Sequence, residues 1–545
     1  MEARFAPARA QAVRSGLAHT YPGVALSDGL TYALNDANTR YTPPAPANIT
    51  GTTGNDRLVG GPGAYTLSGG GGIDTAVFTL GLDWTAGVRF DGTGVGIGQP
   101  VTLDDGSGHP KTLVGIANLE VHGPVTGAIQ DAIITGGSGN DTLFGGNGTN
   151  ILTSGAGTTS FYGGPHDNVF NVDNTFDHIY TQPGGYNTVF ASVPFTAPAG
   201  VQALYLTGSA VSGRANAVGA TIVGNNLGDL LIANGDAHIY GGSGNDRLQG
   251  GPGNNYLDGG GGVNSAIYHL DTDWTAGQPF DGSTIGPQGG TVLLDGGAGH
   301  QNTLVNIQRL EITGFVNAPN MITGSGGADI IHGGNKGNII VTGAGSAKIS
   351  GGAGNDTIYV NNVSDVIQEN PGAGQAILYS SVSYHLPPNV HELHLTGFAF
   401  VGTGNDQGGN LLYASDNGSL LRAGAGGDTL YGGAGHDTLR GGAGADTIYA
   451  GSGTATLDGG AGADLLVGGA GPDTFLERKG QAAGDTIQNF VSGQDHIQLS
   501  GWGAGTTLVE TDAASHQWTI TDGVDHSTSV LTILAPVQPA DVIFG

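Results

Sequence analysis

Aspartates recur along this chain inside short glycine-rich units, at a spacing that could build metal sites. The units have the form G-G-x-G-x-D-x-U-x, in which the sixth residue is aspartate and U is a large apolar residue. Glycine at the first, second and fourth positions permits a tight turn whose carbonyl oxygens stay uncovered by side chains. Carboxylate and carbonyl oxygens are the ligands that calcium prefers. We therefore predict that calcium is bound by twelve aspartates: Asp56, Asp74, Asp141, Asp229, Asp246, Asp329, Asp356, Asp428, Asp437, Asp446, Asp464 and Asp473.

The most regular stretch is a run of eight consecutive nonapeptides over residues 405–476. The residues after each aspartate alternate as a short strand does, with the apolar side chain pointing inward. Two nonapeptides then complete one turn of a coil, and neighbouring turns stack on a thin apolar core. The pattern predicts an all-β fold, a parallel β-roll or β-solenoid in several blocks with β-rich inserts. The inward residues of the run are Leu412, Leu421, Leu430, Leu439, Ile448, Leu457, Leu466 and Phe475.

Aspartates that are two nonapeptides apart are expected to face each other, because two nonapeptides make one turn. Asp437 and Asp473 share the opposite edge of the regular roll with Ser419 and Ala455, so each interval on that edge lacks one carboxylate. We expect the edge with complete pairs to bind calcium more tightly. The complete pairs are Asp56 with Asp74, Asp428 with Asp446, and Asp446 with Asp464.

The irregular blocks leave a second interpretation open, in which the aspartate bonds only to the backbone of its own turn. Asp141 there faces Thr159, and Asp329 faces Ala347. Asp229 precedes an irregular, shortened unit and fits the pattern least well. These units are either calcium sites or rungs that bind no ion.

Composition excludes several classes of protein. The sequence has 45 acidic and 16 basic residues and a formal charge of −29, which excludes ordinary nucleic-acid binding. It contains no cysteine, so disulfides and thiolate metal sites are excluded. We find no apolar stretch long enough to span a membrane, and no apolar leader typical of a cleavable secretory signal.

The chain carries a large internal duplication. The pentapeptide D-W-T-A-G at residues 83–87 recurs at 273–277. In each copy a phenylalanine follows the tryptophan, which gives the pairs Trp84 with Phe90 and Trp274 with Phe280. Each pair either binds a ligand or packs in the core, and core packing is favoured. We divide the chain into a non-repetitive segment 1–50 with a proline-rich linker, copy 1 over 51–240 with insert 78–135, copy 2 over 241–404 with insert 268–323, the regular roll 405–476, and a β-rich C-terminal cap 477–545.

The nonapeptides resemble those of RTX secreted proteins. The tail, with G-D-T-I-Q-N-F at 484–490 and G-Q-D-H-I-Q-L-S at 493–500, resembles the C-terminal domain of the serralysins. This resemblance implies export by a type I secretion machinery with an ABC exporter, directed by an uncleaved C-terminal signal such as 541–544, and an extracellular location. It also implies further acidic contacts from Asp485 and Asp495.

Motifs for catalysis are missing from the sequence. The nearest approach to a zinc motif, His391-Glu392-Leu393-His394, lacks the H-E-x-x-H spacing, and no G-x-S-x-G elbow occurs. We therefore expect neither a catalytic site nor a bound organic cofactor. The leading hypothesis is a secreted, non-enzymatic calcium-binding protein that folds on binding calcium outside the cell. The alternatives are a carbohydrate-active lyase or epimerase on the same solenoid, with Asp91 and Asp281 as the place to look, and a surface-layer or adhesin component whose partner is a cell surface or polysaccharide.

Overall fold

The described part of the chain, residues 47–96, 98–124, 130–297 and 300–545 of a computed structural model, is almost entirely short strands and turns. It divides into two units, Met1–Asp246 and Arg247–Gly545. In each unit the strands pair in parallel, turn upon turn, so the expected β-solenoid is confirmed. The non-repetitive segment 1–50 lies outside the described residues except for its last four positions.

One nonapeptide makes one short strand and one glycine turn. In strand Thr447–Tyr449 the central Ile448 is fully buried. It pairs in parallel with Leu430 and with Leu466, each two nonapeptides away, as the sequence predicts. Strands this short are held by their neighbours and by the apolar line beneath them. All eight inward residues of the regular roll have no exposed surface: Leu412, Leu421, Leu430, Leu439, Ile448, Leu457, Leu466 and Phe475.

The turns require glycine where adjacent rungs approach most closely. Gly442 has a φ of 120°, which side-chain-bearing residues rarely adopt, and a Cβ atom there would collide with the carbonyl of Gly424. Gly444 has a φ of 130° and lies in the same way against Gly426. The backbones of adjacent turns are therefore in direct contact, with no side chain between them. Carbonyl oxygens of the turns consequently lie beside the aspartates.

The unit Met1–Asp246 contains strands of four of the six sheets that the described residues form. The first has parallel strands Ala47–Thr50, Tyr65–Ser68 and Lys111–Val114, with Val101–Leu103 antiparallel to the last. The second has Arg57–Val59, Thr75–Thr79, Asn118–His122, Asp141–Phe144, Thr159–Tyr162 and His178–Tyr180. The third has Phe90–Asp91, Ala132–Thr135, Asn150–Thr153, Asn168–Val172, Asn187–Ala191, Ala203–Leu206, Thr221–Val223 and His238–Tyr240, and the fourth has Phe195–Ala197, Ser212–Ala215 and Leu230–Ile232.

The unit Arg247–Gly545 also contains strands of four of the six sheets. The first has Arg247–Gln249, Ser265–His269, Arg309–Thr313, Asp329–His332, Ala347–Ser350 and Val366–Gln368; the second has Tyr256–Asp258 and Gln301–Val305, with Thr291–Asp295 antiparallel. The third has Phe280–Asp281, Met321–Thr323, Ile339–Val341, Asp356–Val360, Ala376–Ser380, Glu392–Leu395, Leu411–Tyr413, Thr429–Tyr431, Thr447–Tyr449, Leu465–Val467, Thr486–Gln488 and Thr528–Ile533, with Gln517–Thr521 and Thr507–Asp512 joined antiparallel. The fourth has Tyr384–His385, Val401–Thr403, Leu420–Ala425, His436–Ala443, Thr454–Ala461, Thr474–Arg478, His496–Ser500 and Val542–Phe544.

Helical structure is confined to two short pieces in the described residues, Leu270–Asp273 and the 3₁₀ turn Pro539–Asp541. No described helix is long and apolar enough to cross a lipid bilayer.

The aromatic residues of the inserts pack into the core. Trp84 is 4% exposed and Phe90 is fully buried, and their ring centroids are 4.9 Å apart. Trp274 and Phe280 repeat the arrangement at 4.8 Å. Packing is therefore their role, and the ligand platform considered from sequence is not formed. The chain then rejoins the solenoid, because Lys111–Val114 pairs in parallel with Tyr65–Ser68.

Candidate metal sites

All twelve sequence-predicted aspartates are buried in the glycine turns, at 3% exposure or less. Burial disfavours a charged carboxylate that lacks a counterion, and it raises the pKa of several of them. The pKa of Asp141 rises to about 7 through burial. That of Asp446 also rises to about 7, through burial and then through the charges of Asp464 and Asp428. Buried acids of this kind bind either a proton or a cation.

The first oxygen of these carboxylates joins adjacent turns. The Asp428 backbone N–H donates to Asp446 Oδ1, and the Asp446 N–H donates to Asp464 Oδ1, both at 2.8 Å. Asp56 donates to Asp74 in the same way at 2.8 Å. The structure thus brings together the three pairs expected from the two-nonapeptide spacing.

The second oxygen distinguishes the two edges of the regular roll. Among the described residues, Asp428, Asp446 and Asp464 each have a buried Oδ2 atom without a hydrogen-bond partner. On the opposite edge, Oδ2 of Asp437 accepts the Gly433 N–H and Oδ2 of Asp473 accepts the Gly469 N–H, both at 2.7 Å. Only the first edge therefore leaves carboxylate oxygens that need a ligand.

The turn backbone explains this difference. On the first edge the strand His436–Ala443 continues into the turn, where Gly442 pairs with the glycines one turn before and after it. This pairing holds the turn open, away from Asp446. On the opposite edge the turn closes on the carboxylate, as the Gly433 N–H shows.

An opened turn offers a second oxygen beside the aspartate. Asp446 Oδ2 and the carbonyl oxygen of Gly459 both lie within 2.5 Å of the point that a Cβ atom on Gly441 would occupy. The two oxygens are thus within about 5 Å of each other, a separation that a calcium ion about 2.3–2.6 Å from each ligand can bridge. No three His, Asp or Glu side chains converge within the described residues, so such a site relies on backbone carbonyls. The donor set fits calcium.

Asparagine occupies the sixth position of other units, where its side-chain amide bonds to the turn carbonyls and to the next asparagine. Asn168 Nδ2 donates to the carbonyls of Gly164 and His166, at 3.0 and 2.7 Å, and to Asn187 Oδ1 at 2.7 Å. Asn150 Nδ2 donates to Asn168 Oδ1 at 2.7 Å. The amide nitrogen here meets the turn carbonyls that a cation would otherwise meet. This asparagine ladder was not predicted. Its signal is nevertheless in the sequence, since Asn150 and Asn168 stand at the aspartate position of their nonapeptides.

We expect Asn168→Asp to destabilise the metal-free protein. The change removes three donated hydrogen bonds and buries a charge among carbonyl oxygens, which costs about 3 kcal/mol or more of unfolding free energy. Urea unfolding without calcium at pH 5, where the metal-free protein should be folded, measures the loss, and Asn171→Asp, on the half-buried face of the same strand, is the matched control. Equal effects of the two changes would contradict the role of the ladder.

Four further aspartates hold the same position as the predicted ones. Asp177 Oδ1 accepts the Thr159 N–H at 2.6 Å, and Asp365 Oδ1 accepts the Ala347 N–H at 2.8 Å. Both were missed, because their units lack the glycine signature. The other two, Asp485 and Asp495, were suggested by the family resemblance. Asp485 Oδ1 accepts the Asp464 N–H and Asp495 Oδ1 accepts the Asp473 N–H, both at 2.9 Å, so the same bonding continues into the tail.

Comparison with known families agrees with this geometry. Seven segments match the family described as RTX calcium-binding nonapeptide repeat (4 copies): residues 48–76, 126–161, 233–266, 319–336, 332–367, 422–457 and 456–475. The chain carries RTX calcium-binding nonapeptide repeats. Eleven of the twelve aspartates lie inside these segments and Asp229 lies outside. The RTX segments end at residue 475, so the serralysin-like tail stays a prediction. A search of curated proteins found no match.

The residues considered for catalysis have structural contacts. His394 stacks between Tyr379 and Tyr413, with ring centroids 4.6 and 4.1 Å away, and its Nε2 lies 2.8 Å from Glu392 Oε1. In the inserts, Oδ1 of Asp91 accepts the Thr93 N–H at 3.1 Å. Oδ1 of Asp281 accepts the Ser283 N–H at 2.9 Å. Both aspartates thus close exposed turns of their own backbone.

Proposed function

We propose that this chain is a secreted, non-enzymatic calcium-binding protein whose solenoid folds on binding calcium outside the cell. One observation carries the proposal: buried Oδ2 atoms without a partner among the described residues recur in the turns of the RTX repeats. A buried carboxylate oxygen needs a cation or a proton. These oxygens belong to Asp74, Asp356, Asp428, Asp446 and Asp464.

Calcium supplies the free energy that the fold otherwise lacks. The core is a thin line of apolar side chains, and the 105 glycines of the sequence lose much conformational freedom on folding. Stacked carboxylates also repel each other without metal. An ion that binds only the folded chain stabilises it by about 4 kcal/mol at a concentration 1,000 times its dissociation constant. At micromolar calcium or below the chain stays unfolded, and at millimolar calcium it folds.

Secretion is the part of the proposal that rests on resemblance. Export of an unfolded chain by an ABC exporter, followed by folding in external calcium, is consistent with a calcium-dependent fold. Expression with and without a type I exporter, followed by assay of the medium, tests it. Equal amounts of the protein outside cells with and without the exporter would contradict this route.

Calcium removal tests the proposed folding directly. Circular dichroism of the full chain in millimolar calcium should show β-structure with a cooperative thermal transition, and stripping calcium on a chelating resin should abolish most of both. Magnesium at the same concentration is the control, since it demands octahedral geometry and gives up its waters reluctantly. Equal β-content and thermal stability with and without calcium would refute the proposal.

A further inference from the structure

Two glutamates lie where the repeat pattern would place a glycine. Glu369 follows Gly351 by the length of two nonapeptides, and Glu477 follows Gly459 by the same interval. In the regular roll the residue one turn after Gly441 is another glycine, Gly459. Each glutamate stands just beyond the end of an RTX segment, at 367 and at 475. Both therefore end a block.

The Glu369 carboxylate replaces a backbone carbonyl. The Gly351 N–H donates to Glu369 Oε1 at 2.8 Å, whereas one turn earlier the Gly333 N–H donates to the carbonyl of Ser350. Glu369 Oε1 and Asp356 Oδ2 both lie within 2.5 Å of the point that a Cβ atom on Gly351 would occupy. The second oxygen beside the aspartate is thus a charged side chain where the Asp446 turn has a carbonyl.

Asp356 and Glu369 need a cation or a proton between them. Asp356 is 1% exposed, and its Oδ2 has no hydrogen-bond partner among the described residues. Asp356 Oδ2 and Glu369 Oε1 lie close to each other, because both are near the point that a Cβ atom on Gly351 would occupy. Neither residue forms an ion pair with a described lysine or arginine. Glu369 is half-buried, and two like charges at this distance repel. A calcium ion about 2.3–2.6 Å from each would make the interaction attractive.

Glu477 occupies the corresponding sequence position at the end of the regular roll. Its strand, Thr474–Arg478, pairs in parallel with Thr454–Ala461, which carries Gly459. Glu477 is 1% exposed, and its Oε1 has no partner among the described residues. Asp464 precedes Glu477 by 13 residues, as Asp356 precedes Glu369, and it also has an unpartnered Oδ2. Burial raises the pKa of Glu477, and the carboxylates of Asp485 and Asp464 raise it further, so both lie close enough to interact with it. Two independent blocks therefore end in the same pair of residue types at the same spacing.

We propose that Glu369 and Glu477 each bind a calcium ion together with the preceding aspartate, Asp356 or Asp464, and so complete the last site of each block. This inference rests on the proposed calcium-binding function. Two carboxylates raise the charge of the ligand set, which tightens calcium binding. These terminal sites should therefore fill before the sites that contain one carboxylate and carbonyls.

Substitution by glutamine tests this assignment in the full chain. Glu369→Gln and Glu477→Gln each keep an oxygen but remove the charge, and Glu510→Gln on the exposed face of strand Thr507–Asp512 is the control. Native mass spectrometry counts the bound calcium ions, and a calcium titration gives the affinities. Each variant should lose one ion or bind it at least about tenfold more weakly, while the control matches the unmodified protein.

The outcomes separate this inference from the proposed function. Calcium binding by the unmodified protein with unchanged number and affinity in both variants would overturn the glutamate assignment and leave the function standing. No calcium binding by the unmodified protein would overturn both. If a glutamine variant does not fold in saturating calcium, Glu369→Asp keeps the charge but shortens the reach. It should show the same loss, and an unchanged affinity would again overturn the assignment.

Discussion

The metal-free protein should be more stable at pH 5 than at pH 8. The pKa of Asp446 rises from 3.8 to about 7 through burial and the neighbouring carboxylates, and that of Asp485 also rises to about 7 through burial. An acid with a higher pKa in the folded than in the unfolded state holds more protons when folded. The unfolding free energy therefore falls as pH rises through the window from about 4 to about 7. Each such aspartate contributes roughly 3 kcal/mol across that window.

Circular dichroism of resin-stripped protein from pH 5 to pH 8 follows the folded fraction, and urea unfolding gives the free energy at each pH where the protein is folded. Saturating calcium is the control and should reverse the trend, because calcium binds the ionised carboxylates and protons compete with it. At low pH, protons neutralise the buried carboxylates of the turns, as calcium does at higher pH. A metal-free unfolding free energy that rises from pH 5 to pH 8 would contradict the buried, uncompensated state of these side chains.

Asp446→Ala should have the larger effect on calcium affinity, and Asp437→Ala should have the larger effect on the stability of the metal-free protein. Asp446 offers an unpartnered Oδ2 to a cation and stands between two paired aspartates, so its removal should weaken calcium binding about tenfold or more. Asp437 accepts two backbone N–H groups, from Gly433 and Ser419. Its removal should mainly destabilise the metal-free protein, by about 2–4 kcal/mol, since hydrogen bonds to charged groups contribute more than neutral ones.

The two variants control each other. A calcium titration gives the affinities, and urea unfolding of the metal-free protein at pH 5, where it should be folded, gives the stabilities. Equal losses of affinity would refute the assignment of the tighter edge to Asp428, Asp446 and Asp464.

The register of the solenoid could be predicted because it depends on local pattern alone. Leu430, Ile448 and Leu466 stack because each is the apolar residue after a glycine turn, and the step from one to the next follows from two such units per turn. The burial of the aspartates follows from the same repeat. These features need no knowledge of distant residues.

The state of each carboxylate could not be predicted in the same way. The units G-G-A-G-H-D, ending at Asp437, and G-G-A-G-A-D, ending at Asp446, are nearly identical, yet only the second leaves Oδ2 without a donor. The difference depends on how the turn pairs with the turns above and below it. Glu369 was missed for a related reason, because its importance depends on a glycine that lies one full turn earlier in the solenoid.

The ladder of aspartates also has a direction. Each Oδ1 accepts an N–H from the turn that precedes it in sequence, as Asp464 does from Asp446 and Asp485 does from Asp464. A turn is therefore complete only when the next turn toward the C-terminus is in place. The strand N–H groups point the other way, because the Thr447 N–H donates to the Asp428 carbonyl and the Leu465 N–H donates to the Asp446 carbonyl, both at 2.8 Å. Each turn thus depends on both of its neighbours, which makes the solenoid a cooperative array in which the loss of one turn weakens the turns on either side.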